Sequence, residues 1–274
     1  MENIHRPTVS NFGDEWSRFN QEALSDTESK KIFDEYFSIF PWYILPTDAE
    51  GFDMGCGTGR WAKWVAPKVK KLHCIDPSEA IHIAKKGLSI FPNIEFHKAS
   101  LEDNTLHEGS QDFGYSLGVL HHVPDTELAL ASCVKLLKKG SPILLYLYYA
   151  FDNRPFWFHL IWRLSDFVRI GVSGLPKSIK NIITDLLAIF IYWPLAKFSK
   201  LMELLHLPIP LLPLNYYRNH SFYTMRTDAR DRFGTPLEQR FSKNQIYEMM
   251  ERAGLEHITF SDKPPYWCSL GFKK

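Results

Sequence analysis

Beyond Pro46 the sequence alternates. Four short apolar segments, at 51–54, 71–75, 94–97 and 112–117, each give way to a stretch of helical spacing. Parallel strands cannot be joined by a tight turn, so this alternation predicts a parallel sheet with crossover helices. Helix ends support it independently of the apolar pattern. Gly87 and Gly140 follow lysine-rich stretches as C-terminal glycines do, and Pro124-Asp125-Thr126-Glu127 places a cap and an acid ahead of a stripe of Leu130, Val134 and Leu137. A fifth strand is predicted at 143–149. Before the alternation, Ile32, Phe33, Tyr36, Phe37 and Phe40 predict a helix over 26–40 that stops at Pro41.

From Phe151 the pattern changes to aromatic and leucine-rich stretches with several prolines, and alternation resumes only near Arg240. The chain therefore divides into an N-terminal segment (1–45), a core (46–150), a largely helical insertion (151–240) and a closing part (241–274). In the last, Ser242-Lys243-Asn244-Gln245 opens a helix with a capping box, Gly254 ends it, and 255–261 with 266–272 supply two more strands. The run from Leu186 to Leu195 is nearly all apolar but shorter than the ~20 residues that span a bilayer, and Pro194 should break it, so no spanning helix is predicted. Burial of this surface has three expected forms, in order: a cap over the active site, a homodimer contact, and peripheral membrane contact with Tyr192 and Trp193 at headgroup level.

With 32 basic and 31 acidic residues the chain lacks the long-range field that draws proteins onto nucleic acid, and no nucleic-acid partner is expected. Cys56, Cys74, Cys133 and Cys268 lack metal or redox spacing and read as reduced, mostly buried thiols. Residues 1–12 are polar without a secretory pattern, so the expected location is cytoplasmic.

The first strand ends in Asp53 and enters Gly55-Cys56-Gly57-Thr58-Gly59, a turn whose glycines let backbone amides approach a ligand. By themselves the glycines admit a dinucleotide, since 57–62 reads G-x-G-x-x-A. Asp53 separates the readings: an acid there suits a cationic amino group, whereas a dinucleotide turn leaves an apolar strand directly into glycine. Asp76 ends the second strand, where a carboxylate can accept both ribose hydroxyls of either cofactor.

These residues, with Ile75-Asp76-Pro77-Ser78, the run Tyr115-Ser116-Leu117-Gly118-Val119-Leu120-His121-His122-Val123, and Leu137-Lys138-Lys139-Gly140, resemble the class I S-adenosylmethionine-dependent methyltransferases. The resemblance implies an α/β, Rossmann-like, doubly wound sheet of seven mostly parallel strands with an antiparallel last strand, an N-terminal helical lid and a helical insertion after strand five. It implies S-adenosyl-L-methionine as cofactor: Asp53 at its amino group, Gly55 and Gly57 along the methionine, and Asp76 on the ribose. Ser100, Leu101 and Glu102 would lie beside the adenine, with Ser100 where many relatives carry aspartate, and Leu117 and Gly118 near the sulfonium.

Methyl transfer is an in-line displacement, so positioning dominates and a base is needed only where the acceptor must lose a proton. His121 and His122 are candidates for that base; the alternative is that one packs and the other caps the next helix. The stretch 115–123 lacks the Asn/Asp-Pro-Pro-aromatic motif of DNA amino-methylating enzymes, and no Asp/Asn metal cluster of the catechol-methylating kind is present, so no metal is expected. The segment 11–19 is similar to a Phe-Gly-x-x-Trp-x-x-Phe opening of small-molecule methyltransferases, and Phe12 and Trp16 would form a lid or else a surface strip. Asp228 and Asp231 partly match a pattern of the same relatives; with Tyr217, His220, Tyr223, Arg226 and Arg240 they would line an acceptor pocket or form a salt-bridged turn. The leading expectation is O- or N-methylation of a small molecule, such as a sugar or secondary metabolite. The alternatives are a lipid or quinone methyltransferase at the membrane surface and a cofactor-binding protein with a regulatory or non-methylating role.

Overall fold

The computed structural model describes residues 3–103 and 105–274. In chain order, α1 (Arg6–Arg18) and α2 (Asp26–Tyr36) precede β1 (Glu50–Met54), α3 (Ala62–Val65), β2 (Lys71–Ile75), α4 (Ala80–Gly87), β3 (Ile94–His97), β4 (Phe113–Leu117), α5 (Thr126–Leu136) and β5 (Pro142–Tyr146). Helices α6 (Phe156–Ser173), α7 (Lys177–Leu187), α8 (Trp193–Leu204) and α9 (Phe222–Gly234) follow, then α10 (Lys243–Arg252), β6 (Leu255–Phe260) and β7 (Cys268–Lys273). Two compact units result: Met1–Asn20, Ser29–Ala150 and Leu237–Lys274 form the first, and Gln21–Glu28 with Phe151–Pro236 the second.

The first unit is built on one sheet of strand order β3-β2-β1-β4-β5-β7-β6. The first five strands are parallel and β7 runs antiparallel to both its neighbours. Strand order reverses between β1 and β4, and in such a sheet the crevice at the carboxyl ends of those two strands is where a ligand binds. Each face carries its own core. Phe33, Phe37, Trp61, Val65, Leu72 and Tyr115 pack on one, Phe52, Ile75, Leu130, Ile143, Leu145 and Met250 on the other. All four cysteines are free and buried.

At the centre of the sheet two glycines make room for two rings. In the register between β1 and β4, Gly51 faces Phe113 and Phe52 faces Gly114. A Cβ on Gly51 would come within 2.2 Å of the Phe113 ring, and one on Gly114 within 2.2 Å of the Phe52 ring. Each ring lies flat over the neighbouring strand only because that strand has no side chain there.

Several local expectations need correction. Helix α2 stops at Tyr36, although Phe37 and Phe40 stay buried. Gly87 is the last residue of α4 rather than a cap beyond it. Helix α5 ends at Leu136, so Gly140, at φ +75°, shapes the turn into β5, where its amide donates to the Lys273 carbonyl at 2.7 Å. The caps at Asp125 and Ser242 form as expected, the latter as a complete capping box.

The second unit is helical around Val172, Ala188, Tyr192, Ala196, Met225, Ala229 and Phe233. Residues 21–28 join it through Glu28, whose Oε1 accepts from the Ser221 amide and the Thr224 hydroxyl, both at 2.8 Å, at the start of α9. Pro194 does not break its helix. A π-helical turn, Ala188–Tyr192, precedes it and absorbs the lost backbone bond, so the helix runs on from Lys177 to Leu204. By length and composition these 28 residues could cross a membrane, which corrects the reading that no helix here could do so. Tyr192 is buried against Tyr217 at a ring distance of 5.2 Å, so it cannot serve as a headgroup anchor; Trp193 is half exposed.

Candidate active site

Asp53 reaches the crevice at the end of β1, buried beside the Tyr115 hydroxyl of β4. Neither carboxylate oxygen has a hydrogen-bond partner among the described residues. Burial pushes its pKa from 3.8 up to about 8; the Tyr115 hydroxyl and the Arg60 guanidinium pull it down only in part, and the Asp76 charge raises it further. A buried acid without a partner is costly unless a ligand supplies the missing cation.

The turn that follows is shaped by its glycines, with φ of +79° at Gly55, +54° at Gly57 and +77° at Gly59. A Cβ on Gly55 would lie 2.4 Å from Val119, and one on Gly57 3.3 Å from the Trp16 indole nitrogen. Trp16 of α1 therefore lies over the glycine turn. The opening stretch 11–18 lies within α1, with Phe19 buried just beyond its end and Phe12 packed on His122.

Asp76 stands opposite the turn. Its Oδ2 accepts from the Gly57 amide at 2.8 Å, and its Oδ1 from the Ser78 amide at 2.8 Å and the Ser78 hydroxyl at 2.6 Å. Burial raises its pKa and these donors oppose the rise. Three of about four lone-pair positions are thus occupied, so a diol would bind by displacing one of these donors. An open cleft of about 350 Å³ adjoins Ser78, lined among others by Arg6, Gly13, Asp14 and Ser17.

The adenine-side residues are arranged differently from one another. Leu101 packs, partly buried, with the cluster that includes Met54 and Ile75. Ser100 donates to Asp103 at 2.8 Å, while Glu102 Oε1 accepts from the Asn3 amide at 3.1 Å, so both polar ends are occupied within the chain. Leu117 is buried at the end of β4, and Gly118, at φ +81°, donates its amide to the Tyr146 carbonyl at 3.0 Å.

His121 and His122 form a short 3-10 turn just past β4 and are both buried. They differ in the nitrogen they can offer. His121 stacks on Tyr148 at 3.9 Å, and its Nδ1 accepts from the Tyr148 amide at 3.4 Å, which leaves its proton on Nε2. Burial, with the His122 and Arg240 charges, holds its pKa well below the usual value, so it stays neutral and weakly basic. His122 Nδ1–H donates to the Leu237 carbonyl at 2.6 Å, which puts its lone pair on Nε2, and Phe12 packs edge-on against its ring at 5.0 Å. His122 is the member of the pair whose tautomer suits a base.

The segment 237–241 builds this corner. Besides the Leu237 contact, the Gln239 amide donates to the His121 carbonyl at 3.0 Å, and the Phe241 amide to the Tyr148 carbonyl at 2.9 Å. Arg240 lies over the Tyr148 ring at 5.1 Å, donates to the Tyr149 carbonyl at 3.2 Å and pairs with Glu238 at 2.8 Å. Sequence reasoning named Arg240 but missed Leu237, Gln239 and Tyr148; the local signal for the first two is the polar run Glu238-Gln239-Arg240 just ahead of the capping box, and Tyr148 has none.

The other proposed acceptor contacts lie in the second unit, where their polar ends engage each other. Tyr217 donates to Asp228 at 2.8 Å, His220 Nδ1 donates to the Tyr216 carbonyl at 2.8 Å, and the Tyr223 hydroxyl accepts from the Gln21 amide at 3.0 Å. Arg226 holds Asp185 with two hydrogen bonds at 3.1 and 3.0 Å, and Asp231 accepts from Thr235 at 3.4 Å. Asp228 and Asp231 stand on α9, so this segment is a helix rather than a turn.

Residues 52–145 match a family model described as a methyltransferase domain. Over 109 residues the chain is 30% identical to a ubiquinone biosynthesis O-methyltransferase of Aromatoleum aromaticum, covering 38% of this chain and 44% of that protein. Against the enzyme of the same name from Marinobacter nauticus it is 30% identical over 94 residues, 32% of this chain and 40% of the other. The match thus spans less than half the length of these curated relatives. Among solved structures, an S-adenosylmethionine-dependent methyltransferase from Thermotoga maritima shares the fold at 17% identity and TM-score 0.50, covering 96% of this chain and 100% of that one. The S-adenosylmethionine-dependent methyltransferase SibL in its apo form shares it at 11% identity and TM-score 0.52, covering 89% of this chain and 55% of the other. The glycine turn and its buried acid fall inside the segment matched by the methyltransferase-domain model, and the chain shares the fold of these solved S-adenosylmethionine-dependent methyltransferases.

Proposed function

We propose that this chain methylates a hydroxyl of a small-molecule acceptor, a sugar or secondary metabolite, using S-adenosyl-L-methionine, with His122 taking the acceptor proton. The observation that carries the reading is Asp53, a buried acid without a protein partner at the mouth of a three-glycine turn. The residues present fit the cofactor: Asp53 would hold its ammonium, Gly55 and Gly57 would line its methionine chain, and Asp76 would hold its ribose in place of a donor from Gly57 or Ser78. Its sulfonium supplies an electrophilic methyl group. Leu101 would pack on the adenine, with Ser100 and Glu102 beside it, and Leu117 with Gly118 would form the wall near the reacting centre. Phe12 and Trp16 would exclude water, which strengthens the electrostatic contacts beneath them. His121 and Arg240 would position His122 and the acceptor rather than exchange protons. The O-methyltransferase names of the relatives support oxygen as the methylated atom.

Calorimetry against S-adenosylmethionine and NAD, together with a labelled-methyl assay on phenols, sugars and metabolite pools, tests this. Binding of S-adenosylmethionine in preference to NAD is expected, with label in a hydroxyl-bearing acceptor. In that assay His122→Ala should lower kcat by roughly 10²–10⁴-fold and leave cofactor affinity intact. Tight binding without incorporation into any acceptor would favour a non-methylating role.

We also propose that the second unit makes peripheral contact with a membrane surface. Phe156, Phe167 and Phe190 are each more than 70% exposed, and α6, α7 and α8 leave Leu164, Ile170, Ile182 and Leu201 more than half exposed. Apolar exposure of this extent suits a bilayer interface. Co-flotation with neutral and anionic vesicles is the expected result; a protein that stays in the aqueous phase and sediments as a dimer would assign the faces to a second copy instead.

A further inference from the structure

At the edge of the sheet, three potential metal ligands converge on β2 and β3, on residues the methyl-transfer reading does not use. His73 pairs with Glu95 in the register, and His97 lies two residues beyond Glu95, so all three side chains project from one face. His73 Nδ1 is 3.0 Å from His97 Nε2 and 3.4 Å from Glu95 Oε2, and the last two atoms are 4.0 Å apart. A tetrahedral zinc ion with bonds of about 2.0–2.1 Å spaces its ligands about 3.3–3.4 Å apart, which is the middle of this range.

The surroundings are arranged as they are around such ions. His73 is buried, and its far nitrogen, Nε2–H, donates to Glu50 Oε1 at 2.6 Å. That contact fixes the proton on Nε2 and turns the Nδ1 lone pair toward Glu95 and His97, the carboxylate–histidine–metal relation that orients ligands in metal sites. Lys71 Nζ holds the other oxygen of Glu95 at 2.8 Å and leaves Oε2 directed at the histidines. Counting Glu50, Glu95 and Lys71, the cluster carries a net negative charge before any ion enters. The His97 side chain is 22% exposed and that of Glu95 51%, so the open side faces solvent.

We propose that His73 Nδ1, His97 Nε2 and Glu95 Oε2 bind a divalent transition-metal ion, zinc by ligand type, with solvent completing the coordination and Glu50 as the supporting carboxylate. On binding, His97 moves its proton from Nε2 to Nδ1, and the ion replaces the His73–His97 hydrogen bond. The ion ties the edge strand β3 to β2. The site is separate from any metal at the acceptor, for which the sequence supplies no ligands.

The test uses the whole chain, treated with chelator, dialysed and free of affinity tags. Zinc is titrated against a chromophoric competitor, and cobalt is added to read its visible absorption. One equivalent of zinc is expected, with a rise in Tm and the intense absorption bands of tetrahedral cobalt. His97→Ala should weaken zinc binding by about 100-fold and abolish the cobalt bands, and Glu95→Gln and Glu50→Gln should each weaken it by about 10–100-fold. Glu95 is exposed enough that its variant keeps the fold even if His97→Ala does not. Wild-type affinity no greater than that of the folded Glu95→Gln variant, or cobalt bound without tetrahedral bands, overturns the proposal. Because no methyl donor is present, the result is independent of the proposed reaction.

Discussion

On the proposed reading, Asp53 connects proton uptake to cofactor binding. With a pKa of about 8 in the folded protein and near 3.9 in the unfolded chain, the folded state holds an extra proton between those values. Its contribution to stability is therefore greatest at low pH and is lost as pH rises through 8. Cofactor binding has the opposite sense. An ammonium that pairs with the carboxylate expels the proton, so affinity for S-adenosylmethionine should rise between pH 6 and 8, by up to about tenfold per unit, and then level off. Calorimetry in buffers of different ionisation enthalpy should register the released proton. Asp53→Asn should abolish both the proton release and the pH slope; an unchanged slope in that variant would assign the dependence elsewhere. Asp53, Gly55, Gly57 and Asp76 were legible as a set because the turn chemistry is local in sequence. The tautomers of His121 and His122 were not, since they depend on Leu237 and Tyr148, far along the chain.

Among the elements, β1 and β4 depend on each other through the exchanged Gly–Phe pairs. Gly51→Val should destabilise the protein by about 1–3 kcal/mol or more, because the new side chain must displace the Phe113 ring from a packed core. Adding Phe113→Ala should recover part of that loss, and a urea-denaturation double-mutant cycle would measure it. Strictly additive losses would mean that the ring is not what the glycine accommodates. Strands and crossover helices could be read from apolar spacing, because each is set by residues within it. Helix ends were less legible: α2 loses regular structure at Tyr36 while Phe37 and Phe40 stay buried, and apolar spacing reports burial rather than backbone form. Pro194 was misread for a related reason. Proline breaks a regular α-helical turn, but the wider turn Ala188–Tyr192 ahead of it has room for the ring.

For the whole molecule, the residues proposed to hold the donor follow one another along the chain from β1 to β4, and the sequence carries them in order. Those proposed for the acceptor belong to the same unit but are far apart in sequence. His122 follows β4, Phe12 comes from α1, and Leu237 and Arg240 come from the segment that returns after the second unit. No local pattern brings those stretches together, which is why the recipient of the methyl group was harder to read than its source. Asp53 has one more consequence. The ammonium it would hold is present in the donor and equally in what remains after the methyl has left, so this anchor cannot distinguish spent cofactor from fresh. On the proposed reading, turnover would follow the ratio of the two in the surrounding solution, and the enzyme would slow whenever the spent form accumulates, however abundant its acceptor.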